Sequence, residues 1–433
     1  LMPPLPLPQS PAESLVELFF RNPVIAPLAA KVDFDESAER DIGTMNEWAA
    51  ACTVQRAEGF QLTSEDGRDW SVMTTEPLEA GTPVLSVPNV VILTASKSKY
   101  ELEQLGDVQV GADLLGRLGA GDQIPQFYLF LKILAEYEKG DQSPWYPWLN
   151  SLPRLYFNAA SMTNFCFECL PPLVFALART ERIRFDNFYN ALQKVDVISE
   201  RTKSDQELAQ WAFNIVCTRS WGTDPKIVPM ADMFNHGTET EIVISYDEED
   251  NFIAYVAKDV EAGSPLRMSY GDPTNPSYLF SRYGFLDETS PASFCKIMLN
   301  PTPQLVDMGY DHSRMLFYKD TGDISTEVWD VMLYQNLASN RDVQQAFYEA
   351  HMQDDAETKG AIHQQYFLET ATSLQSHVNS FLTQLDELSE KSYGQDPSEH
   401  PRLPLILRHN EFVKTTFLAV KDRLDDMVAQ AYA

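Results

Sequence analysis

An Asn-His pair lies in the middle of the chain, within the stretch VPMADMFNHGTETE. Asn235 and His236 come shortly after the mostly apolar residues 227–231. Both side chains form hydrogen bonds and both are common in turns. No second His or Cys stands close enough in sequence to make a metal pair, and Cys217 has apolar neighbours typical of a buried thiol. Taken alone, this pattern favours a polar turn over a nucleophile-base pair.

Three further elements change that balance. Tyr270 and Tyr283 are each followed by Gly and flank a short helical segment within SPLRMSYGDPTNPSYLFSRYGFLDE. Upstream, Arg219 follows a helical pattern in the stretch CTRSW. A single tyrosine would more often be a core residue with a satisfied hydroxyl. The two Tyr-Gly pairs, taken with Asn235-His236, favour one functional site instead.

The elements that must position these residues alternate along the chain. Strand-like segments fill residues 59–94, helical patterns fill about 112–215, and strand character returns over 227–270. The acidic DEED between two alternating runs predicts a solvated hairpin tip. The last third contains two helical apolar stripes joined by YGQDPSEHPRLP. The order predicts an α+β protein in which distant segments close one site.

Two helices have clear boundary signals. IPQFYLFLKILAEYEKG predicts a helix that starts after Pro125 and is stopped by Gly140. SDQELAQWAFNIVCTRSW predicts a second helix, with Ser204 as its N-cap and Glu207 as its capping-box partner. Residues 1–44 are predicted to be a Pro-rich tail with at most one short helix, around residues 12–20. Such an extended arm is either a disordered remnant, which is the default, or a strap that binds a partner.

Composition limits the class of protein. The 433 residues predict two or three packed units, and a net charge of -30 argues against direct nucleic-acid binding. Basic protein partners or lysine-bearing substrates would be attracted instead. Five cysteines favour a reducing compartment, and the single CxxC at Cys166 and Cys169 predicts core thiols rather than zinc ligands. The sequence contains no run of 18 apolar residues, so we predict no transmembrane helix.

The Asn-His, Tyr-Gly and SPWYPWLNSLP elements together resemble SET-domain methyltransferases of the Rubisco large-subunit lysine methyltransferase class. The resemblance covers roughly residues 45–430. It implies a β-rich, pseudoknotted SET domain over 45–290 with a helical insert at about 112–215. It also implies a helical substrate-binding domain over 291–433. This class transfers methyl groups from S-adenosyl-L-methionine to protein lysine and requires no metal.

The resemblance also implies roles for individual residues. Asn235 and His236 would hold the cofactor, and Arg219 would bind the cofactor carboxylate and face the substrate. Tyr283 would be the catalytic tyrosine and contact the cofactor. Tyr270, also placed among the catalytic residues, would line the lysine channel, and Asp232 would lie at its substrate side.

One motif of the family departs from its usual form. The family's Gly-x-Gly stands where this chain has Asp69-Trp70-Ser71 before an apolar Val72. Arg68, Asp69 and Trp70 are the positional equivalents of the cofactor-contacting residues. Without the glycines, the backbone approaches a cofactor less closely. A non-catalytic SET scaffold or assembly subunit therefore stays open as an alternative.

Three segments, MADMFNHGTETE, SYGDPTNPS and LPLILRHNEFVK, resemble plastid SET-domain proteins of the transcriptionally active chromosome. That resemblance implies association with the plastid-encoded RNA polymerase and its subunits, support of plastid transcription, and a location in the chloroplast stroma or nucleoid. A methyltransferase acting on another protein, such as Rubisco, is the alternative. A related SET class modifies histidine, so a histidine acceptor also stays open.

Overall fold

A computed structural model describes residues 29–294 and 302–432. The described chain divides into two compact units, of residues 29–156 with 183–269 and of residues 157–182 with 270–432. The predicted helix at 12–20 lies outside the described residues. The domain limits implied by the resemblance stay predictions, because compact units need not coincide with family domains.

The first unit contains several small β-sheets. The strands are β1 (Gln55–Arg56), β2 (Phe60–Thr63), β3 (Ser71–Thr74), β4 (Pro83–Val87), β5 (Leu93–Thr94), β6 (Lys226–Ile227), β7 (Asn235–His236), β8 (Ile242–Tyr246), β9 (Phe252–Val256) and β10 (Arg267–Met268). A four-stranded antiparallel sheet has the order β1-β4-β9-β8, while β2-β3 and β5-β6 are antiparallel pairs and β7-β10 is a parallel pair.

The hairpin of β8 and β9 confirms the prediction from the acidic segment. Ile244 pairs with Ala254, and the apolar residues of β9 alternate between buried and half-buried. All four residues of the DEED tip are exposed. Alternation buries one face of the hairpin and leaves the charged turn hydrated.

Helices surround these strands, and a tight aromatic core holds them. Phe127, Phe130, Phe188 and Phe213 are fully buried, and their closest ring centroids lie 5.3–6.0 Å apart. The helices are α1 (Ile42–Ala51), α2 (Ala95–Glu103), α3 (Gln109–Arg117), α4 (Ile124–Lys139), α5 (Tyr146–Leu149), α6 (Asn164–Glu168), α7 (Pro172–Leu192), α8 (Glu200–Lys203) and α9 (Gln206–Arg219). Of these, α6 and the first half of α7 belong to the second unit.

The boundary signals of two helices had different outcomes. α4 ends at Lys139, before the predicted stop at Gly140, but it begins at Ile124 rather than after Pro125, because proline is tolerated in the first turn of a helix. The predicted N-cap Ser204 of α9 is wrong. Asp205 caps this helix, and its carboxylate accepts a hydrogen bond from the Leu208 amide at 3.0 Å. Asp and Ser are comparable caps, and Ser204 instead ends the preceding α8.

The described part of the predicted tail, residues 29–41, packs against the rest of the first unit. The Asp141 amide donates to the Ala30 carbonyl at 2.8 Å, and the Asp41 amide donates to the Asn150 carbonyl at 3.1 Å. Phe34 lies 6.2 Å from the Trp211 ring, and Val32 is buried. Residues 29–41 therefore form part of the first unit.

The second unit is mainly helical. Its two long helices pack along their apolar stripes, and the rings of Phe317 and Phe381 lie 4.7 and 4.8 Å from that of Phe417. Its further elements are α10 (Pro276–Tyr283), β11 (Ala292–Phe294), α11 (Pro303–Asp307), β12 (Leu316–Tyr318), α12 (Thr326–Asn336), α13 (Arg341–Met352), α14 (Ala356–Gln365), α15 (Phe367–Ser392) and α16 (Leu403–Tyr432). The architecture is α+β, as predicted.

The CxxC residues lie in the second unit and are structural. Cys166 and Cys169 are fully buried in an apolar cluster with Met162 and Leu170, which confirms their prediction as core thiols. Within the described residues, no group of His, Cys, Asp and Glu side chains is placed to hold a metal ion. In the same part of the chain, no helix has the length and apolar character that crossing a bilayer requires.

Candidate functional site

The central feature of the first unit is an ion pair at the end of α9. Arg219 is the last residue of this helix, and its Nη1 lies 3.0 Å from Oδ2 and 2.7 Å from the main-chain oxygen of Asp232. The Asp232 side chain is fully buried and that of Arg219 is 12% exposed. Such a pair persists in a low-dielectric interior because further hydrogen bonds satisfy it.

A strained turn presents the aspartate. Asp232 lies in a single 3₁₀ turn, Ala231–Met233, and Met230 before it has φ 72° and ψ -44°. A non-glycine residue in this region costs on the order of 1–3 kcal/mol, and such residues concentrate at functional sites. The turn is held by the Asp232 amide, which donates to the Val228 carbonyl at 3.0 Å.

Trp148 completes the surroundings of the aspartate. Its Nε1 donates to Oδ2 of Asp232 at 3.0 Å, and its ring is fully buried. The other carboxylate oxygen, Oδ1, is buried and has no hydrogen-bond partner among the described residues. A buried carboxylate oxygen without a donor is costly, so this atom is suited to receive a donor from a ligand.

A second arginine approaches from the segment before α1. Arg40 donates from Nε to the Ser151 carbonyl and from Nη1 to the Arg68 carbonyl, both at 2.6 Å, and its Nη2 lies 3.5 Å from Sδ of Met233. Desolvation, reinforced by the charge of Arg219, lowers the pKa of Arg40 to about 9. The guanidinium is therefore still charged at neutral pH, in a place where that charge is unfavourable.

Tyr156 lies beside the two arginines. Its side chain is buried, and burial raises the pKa of its hydroxyl, although the charges of Arg219 and Arg40 oppose this shift. The phenol is therefore neutral, and it can hydrogen-bond to Arg219 without adding a negative charge.

The Asn-His pair forms a short parallel strand. Asn235 pairs with Arg267 and His236 with Met268, and the Gly237 amide donates to the Met268 carbonyl at 3.1 Å. A Cβ at Gly237 would lie 2.5 Å from the Glu239 carbonyl oxygen, so a residue with a side chain would force the backbone apart.

A bidentate ion pair fixes that strand pair. Arg267 donates from Nη2 to Oε1 of Glu241 at 2.8 Å and from Nε to Oε2 at 3.1 Å. The fork geometry orients β10, and with it the Asn-His strand. Asn235 and His236 are both half-buried, so ligand contact needs no unfolding of the strand.

The residues at the position of the missing glycines form a self-contained turn. Oδ1 of Asp66 accepts hydrogen bonds from the amides of Arg68 and Asp69 at 2.8 and 2.9 Å, and Trp70 donates from Nε1 to the Gly67 carbonyl at 3.0 Å. Arg68 and Asp69 are exposed and Trp70 is half-buried. The loop is thus stable without a Gly-x-Gly turn.

Tyr270 and Tyr283 belong to the second unit. The Tyr283 hydroxyl donates to the main-chain oxygen of Tyr270 at 3.3 Å, and their ring centroids are 5.0 Å apart. Phe285 lies 6.0 and 6.1 Å from the two rings. Tyr283 ends α10, and Gly284 caps that helix with φ 79°. The structure therefore brings the two predicted tyrosines together.

Within the first unit, the structure also brings Arg219 and Asp232 into direct contact, which sequence spacing alone did not predict. Three residues of this environment were missed as site residues: Arg40, Trp148 and Tyr156. Trp148 lies in the SPWYPWLNSLP segment that the sequence singled out. Arg40 is a basic residue among the acids that precede α1, and that isolated charge was the available signal.

Comparisons with known proteins concern the family and the fold. The family model described as "SET domain" matches residues 69–271. The actin-histidine N-methyltransferase of Danio rerio is 24% identical over 290 residues, covering 62% of this chain and 46% of that protein. The Rattus norvegicus enzyme of the same name is 24% identical over 282 residues, covering 60% and 44%. The chain thus aligns with less than half of the length of these relatives.

Two solved structures are similar to the chain over most of its length. Rubisco LSMT bound to AdoMet has a TM-score of 0.64 at 14% identity, covering 91% of this chain and 93% of that one. The SET domain of LSMT bound to lysine and AdoHcy has a TM-score of 0.62 at 14% identity, covering 89% and 91%. At these identities the likeness concerns the fold.

Proposed function

We propose that this SET-domain protein transfers a methyl group from S-adenosylmethionine to an amine or imidazole nitrogen of a protein side chain. The proposal rests on the SET-domain match over residues 69–271 and on Arg219, Asn235 and His236, which lie within it. The methyl-donor cofactors named for the similar structures support the choice of cofactor.

The observation that carries the proposal is the Arg219–Asp232 pair. Arg219 offers a cation suited to a carboxylate, and Asp232 presents the buried oxygen Oδ1, for which no described residue supplies a donor. A zwitterionic amino-acid group, such as that of S-adenosylmethionine, fits both features. The residues present therefore suit this cofactor despite the absent glycines.

When bound, S-adenosylmethionine supplies an electrophilic methyl group on a sulfonium sulfur. In the proposed transfer, the N–C bond forms as the S–C bond breaks, and the acceptor nitrogen loses a proton. Asn235 and His236 would hold the cofactor, and Arg219 would fix its carboxylate. Tyr283, with Tyr270, is the predicted residue that orients the acceptor amine.

Two acceptor types have support. Lysine is the ligand named for one similar solved structure, whereas the sequence relatives are histidine methyltransferases. We propose lysine as the acceptor, because the structural likeness covers about nine tenths of the chain. Histidine is the second candidate. Mass spectrometry of methylated Rubisco and actin, each incubated with the protein and the cofactor, distinguishes the two.

The first test is calorimetric titration of the full chain with S-adenosylmethionine. Binding in the micromolar range is expected, with ATP as a control ligand that has the adenosine but not the amino acid. If no heat of binding is measured at millimolar S-adenosylmethionine, the proposed enzyme activity is wrong.

A non-catalytic scaffold is the competing function, and the loop 64–70 favours it. Asp69 and Trp70 stand in place of the family's glycines, and the turn is already satisfied by internal hydrogen bonds. If the chain binds cofactor but methylates nothing in a plastid extract supplied with radiolabelled S-adenosylmethionine, the scaffold proposal gains over the enzyme.

We also propose that the protein resides in the chloroplast and associates with the plastid-encoded RNA polymerase, in support of plastid transcription. The resemblance of three segments supports this, and a net charge of -30 suits contact with basic subunits rather than with DNA. Size-exclusion chromatography of a plastid extract tests it. Co-elution with the polymerase subunits is expected, and a chain that elutes as a free monomer contradicts the proposal.

A further inference from the structure

β8 forms one edge of the four-stranded sheet in the first unit. It pairs with β9 on one side, and among the described residues no strand pairs with its other side. The Asp247 amide donates to the Asn251 carbonyl at 3.1 Å just beyond the strand, and the register of the hairpin is continuous. Hydrogen-bonded pairs alternate along an antiparallel ladder, so the main-chain groups of Ile244 and Tyr246 point away from β9.

These outward main-chain groups of Ile244 and Tyr246 are the open edge of the sheet. In the described part of the chain, no hydrogen bond joins them to a group outside the hairpin. The start of β8 is different, because the Glu241 amide donates to the Arg267 carbonyl of β10 at 3.1 Å. The open edge therefore lies in the second half of the strand.

The sequence of β8 does nothing to protect this edge. Edge strands usually avoid pairing with other chains through a charge, a proline, a bulge or a very short length. β8 has five residues, IVISY, of which none is charged or proline and three are β-branched. The opposite edge, β1, has only two residues and carries the charge of Arg56. The open edge is thus the one suited to accept a further strand.

An apolar side chain accompanies the main-chain groups. Val243 is 53% exposed, and it pairs across the hairpin with the half-buried Tyr255. In a strand added beside β8, every second side chain would lie on the same face as Val243. The surface therefore offers an apolar contact together with main-chain hydrogen bonds.

The hairpin tip next to the open edge is acidic. Asp247, Glu248, Glu249 and Asp250 are all exposed, and among the described residues no Lys or Arg lies within ion-pair distance of their carboxylates. Asp247 holds the turn through Oδ1, which accepts hydrogen bonds from the amides of Glu249 and Asn251, both at 2.9 Å. A fixed and uncompensated negative charge therefore borders the edge, and it favours a basic partner.

A second copy of this chain does not suit the edge. In an antiparallel pair of two β8 strands, each acidic tip would lie beside the start of the other β8, where β10 already occupies the edge. In a parallel pair, the two acidic tips would lie side by side and repel each other. The occupant that fits is a different, positively charged chain.

We propose that the open edge of β8 is a docking site for an extended, lysine- or arginine-rich segment of a partner protein, which adds a strand to the sheet. Hydrogen bonds to Ile244 and Tyr246 supply affinity, Val243 receives an apolar side chain, and the acidic tip selects for positive charge. The docked segment is a bound partner and not the methyl acceptor. The inference goes beyond the proposed function and does not depend on it.

The test uses a fluorescent peptide of about eight residues in which lysine and valine alternate, long enough for one strand. It is titrated into the full chain, and binding is followed by anisotropy. One control peptide has glutamate in place of lysine and should not bind. A second control is the lysine peptide N-methylated at every peptide bond, which keeps the charges but donates no main-chain hydrogen bond. It should bind at least about tenfold more weakly, as expected for the loss of two hydrogen bonds.

Two matched variants locate the site. Val243→Lys places a repelling charge on the exposed side of β8 and should weaken binding of the lysine peptide about tenfold. Tyr100→Lys makes the same change of charge at another exposed apolar residue of the first unit, in α2. Its affinity for the peptide should stay within about twofold of wild type.

Hydrogen exchange provides a readout at the strand itself. In the unbound chain, the amides of Ile244 and Tyr246 should exchange faster than those of Val243 and Ser245, which bond to β9. Saturation with the lysine peptide should slow the exchange of Ile244 and Tyr246.

Each alternative has a distinct result. Equal affinity for the N-methylated peptide would mean attraction by charge alone and would overturn strand addition. Equal affinity for the glutamate peptide would overturn the choice of a basic partner. No binding of the lysine peptide, or unchanged binding in Val243→Lys, would overturn the site. Self-association that Val243→Lys abolishes would assign the edge to a second copy instead. Binding of S-adenosylmethionine is measured separately, so none of these results decides the proposed function.

Discussion

Arg219 holds Asp232 by two contacts from one nitrogen, at 3.0 Å to Oδ2 and 2.7 Å to the main-chain oxygen. The aspartate is thus fixed by its side chain and its backbone at once. Trp148 donates to the same Oδ2, so the carboxylate is oriented with Oδ1 left over. This relationship makes the end of α9 and the turn 231–233 one rigid element.

Replacing the aspartate should destabilise the first unit. Asp232→Asn keeps a hydrogen-bond acceptor but leaves Arg219 buried without its counter-charge, which costs about 3–5 kcal/mol. Chemical denaturation monitored by tryptophan fluorescence measures the loss. The control is Glu239→Gln, which removes an exposed pair with Lys258 and should change stability by less than about 1 kcal/mol. Equal small effects would show that the buried pair is not structural.

Removing the Tyr283 hydroxyl should affect catalysis and not the fold. If the proposed methyl transfer occurs, Tyr283→Phe should lower its rate about 100-fold, the range for a positioned acid-base group. Affinity for S-adenosylmethionine should stay within about twofold. Tyr278→Phe, on the exposed side of the same helix, is the control and should retain activity. A fully active Tyr283→Phe would remove the residue from the mechanism.

The end of α10 should tolerate no side chain. A Cβ on Gly284 would lie 2.4 Å from the main-chain nitrogen of Asn158, and the residue has φ 79°. We expect Gly284→Ala to cost more than about 2 kcal/mol, from backbone strain plus a clash with backbone. Gly394→Ala is matched, since its φ is 78° and no atom lies within 4 Å of the added Cβ.

The matched glycine variant separates the two causes. Gly394→Ala should cost only about 1 kcal/mol, because it adds strain without a clash. Thermal unfolding of both variants gives the comparison. Similar shifts in Tm for the two would mean that the approach of Asn158 to Gly284 contributes nothing.

The second unit should lose stability in mild acid through His409. This imidazole is fully buried, 3.1 Å from the Ser277 hydroxyl and with its ring centroid 4.5 Å from that of Phe280, and burial lowers its pKa from 6.5 to about 4. The unfolded chain therefore binds a proton between pH 6.5 and 4 that the folded chain does not. The contribution of His409 to the free energy of unfolding is fully present above pH 6.5, and about 3 kcal/mol of it is lost as the pH drops to 4.

The measurement is the free energy of unfolding between pH 7 and 4. His409→Gln should flatten the curve over that window. His400→Gln is the control, since His400 also contacts a hydroxyl, that of Thr163 at 3.0 Å, and an aromatic ring, that of Phe165 at 4.8 Å, but is only half-buried. An unchanged pH dependence in His409→Gln would contradict the assignment.

The sequence predicted the local elements well where a physical signal was complete. Gly140 follows the last residue of α4, and the two apolar stripes lie in α15 and α16, because periodicity and backbone restriction act over a few residues. Ser204 failed as a cap because Asp205 competes for the same position at similar energy.

The candidate site was only partly predictable. The sequence by itself determined which residue types were available, including the Asn-His pair, the tyrosines and the lost glycines. Tertiary structure decided that Arg219 neutralises Asp232 and that Trp148 orients it. It also decided that Arg40 contacts Met233 of the same turn, which lies 193 residues further along the chain. Contacts of this kind follow from chain packing and burial, which local spacing does not encode.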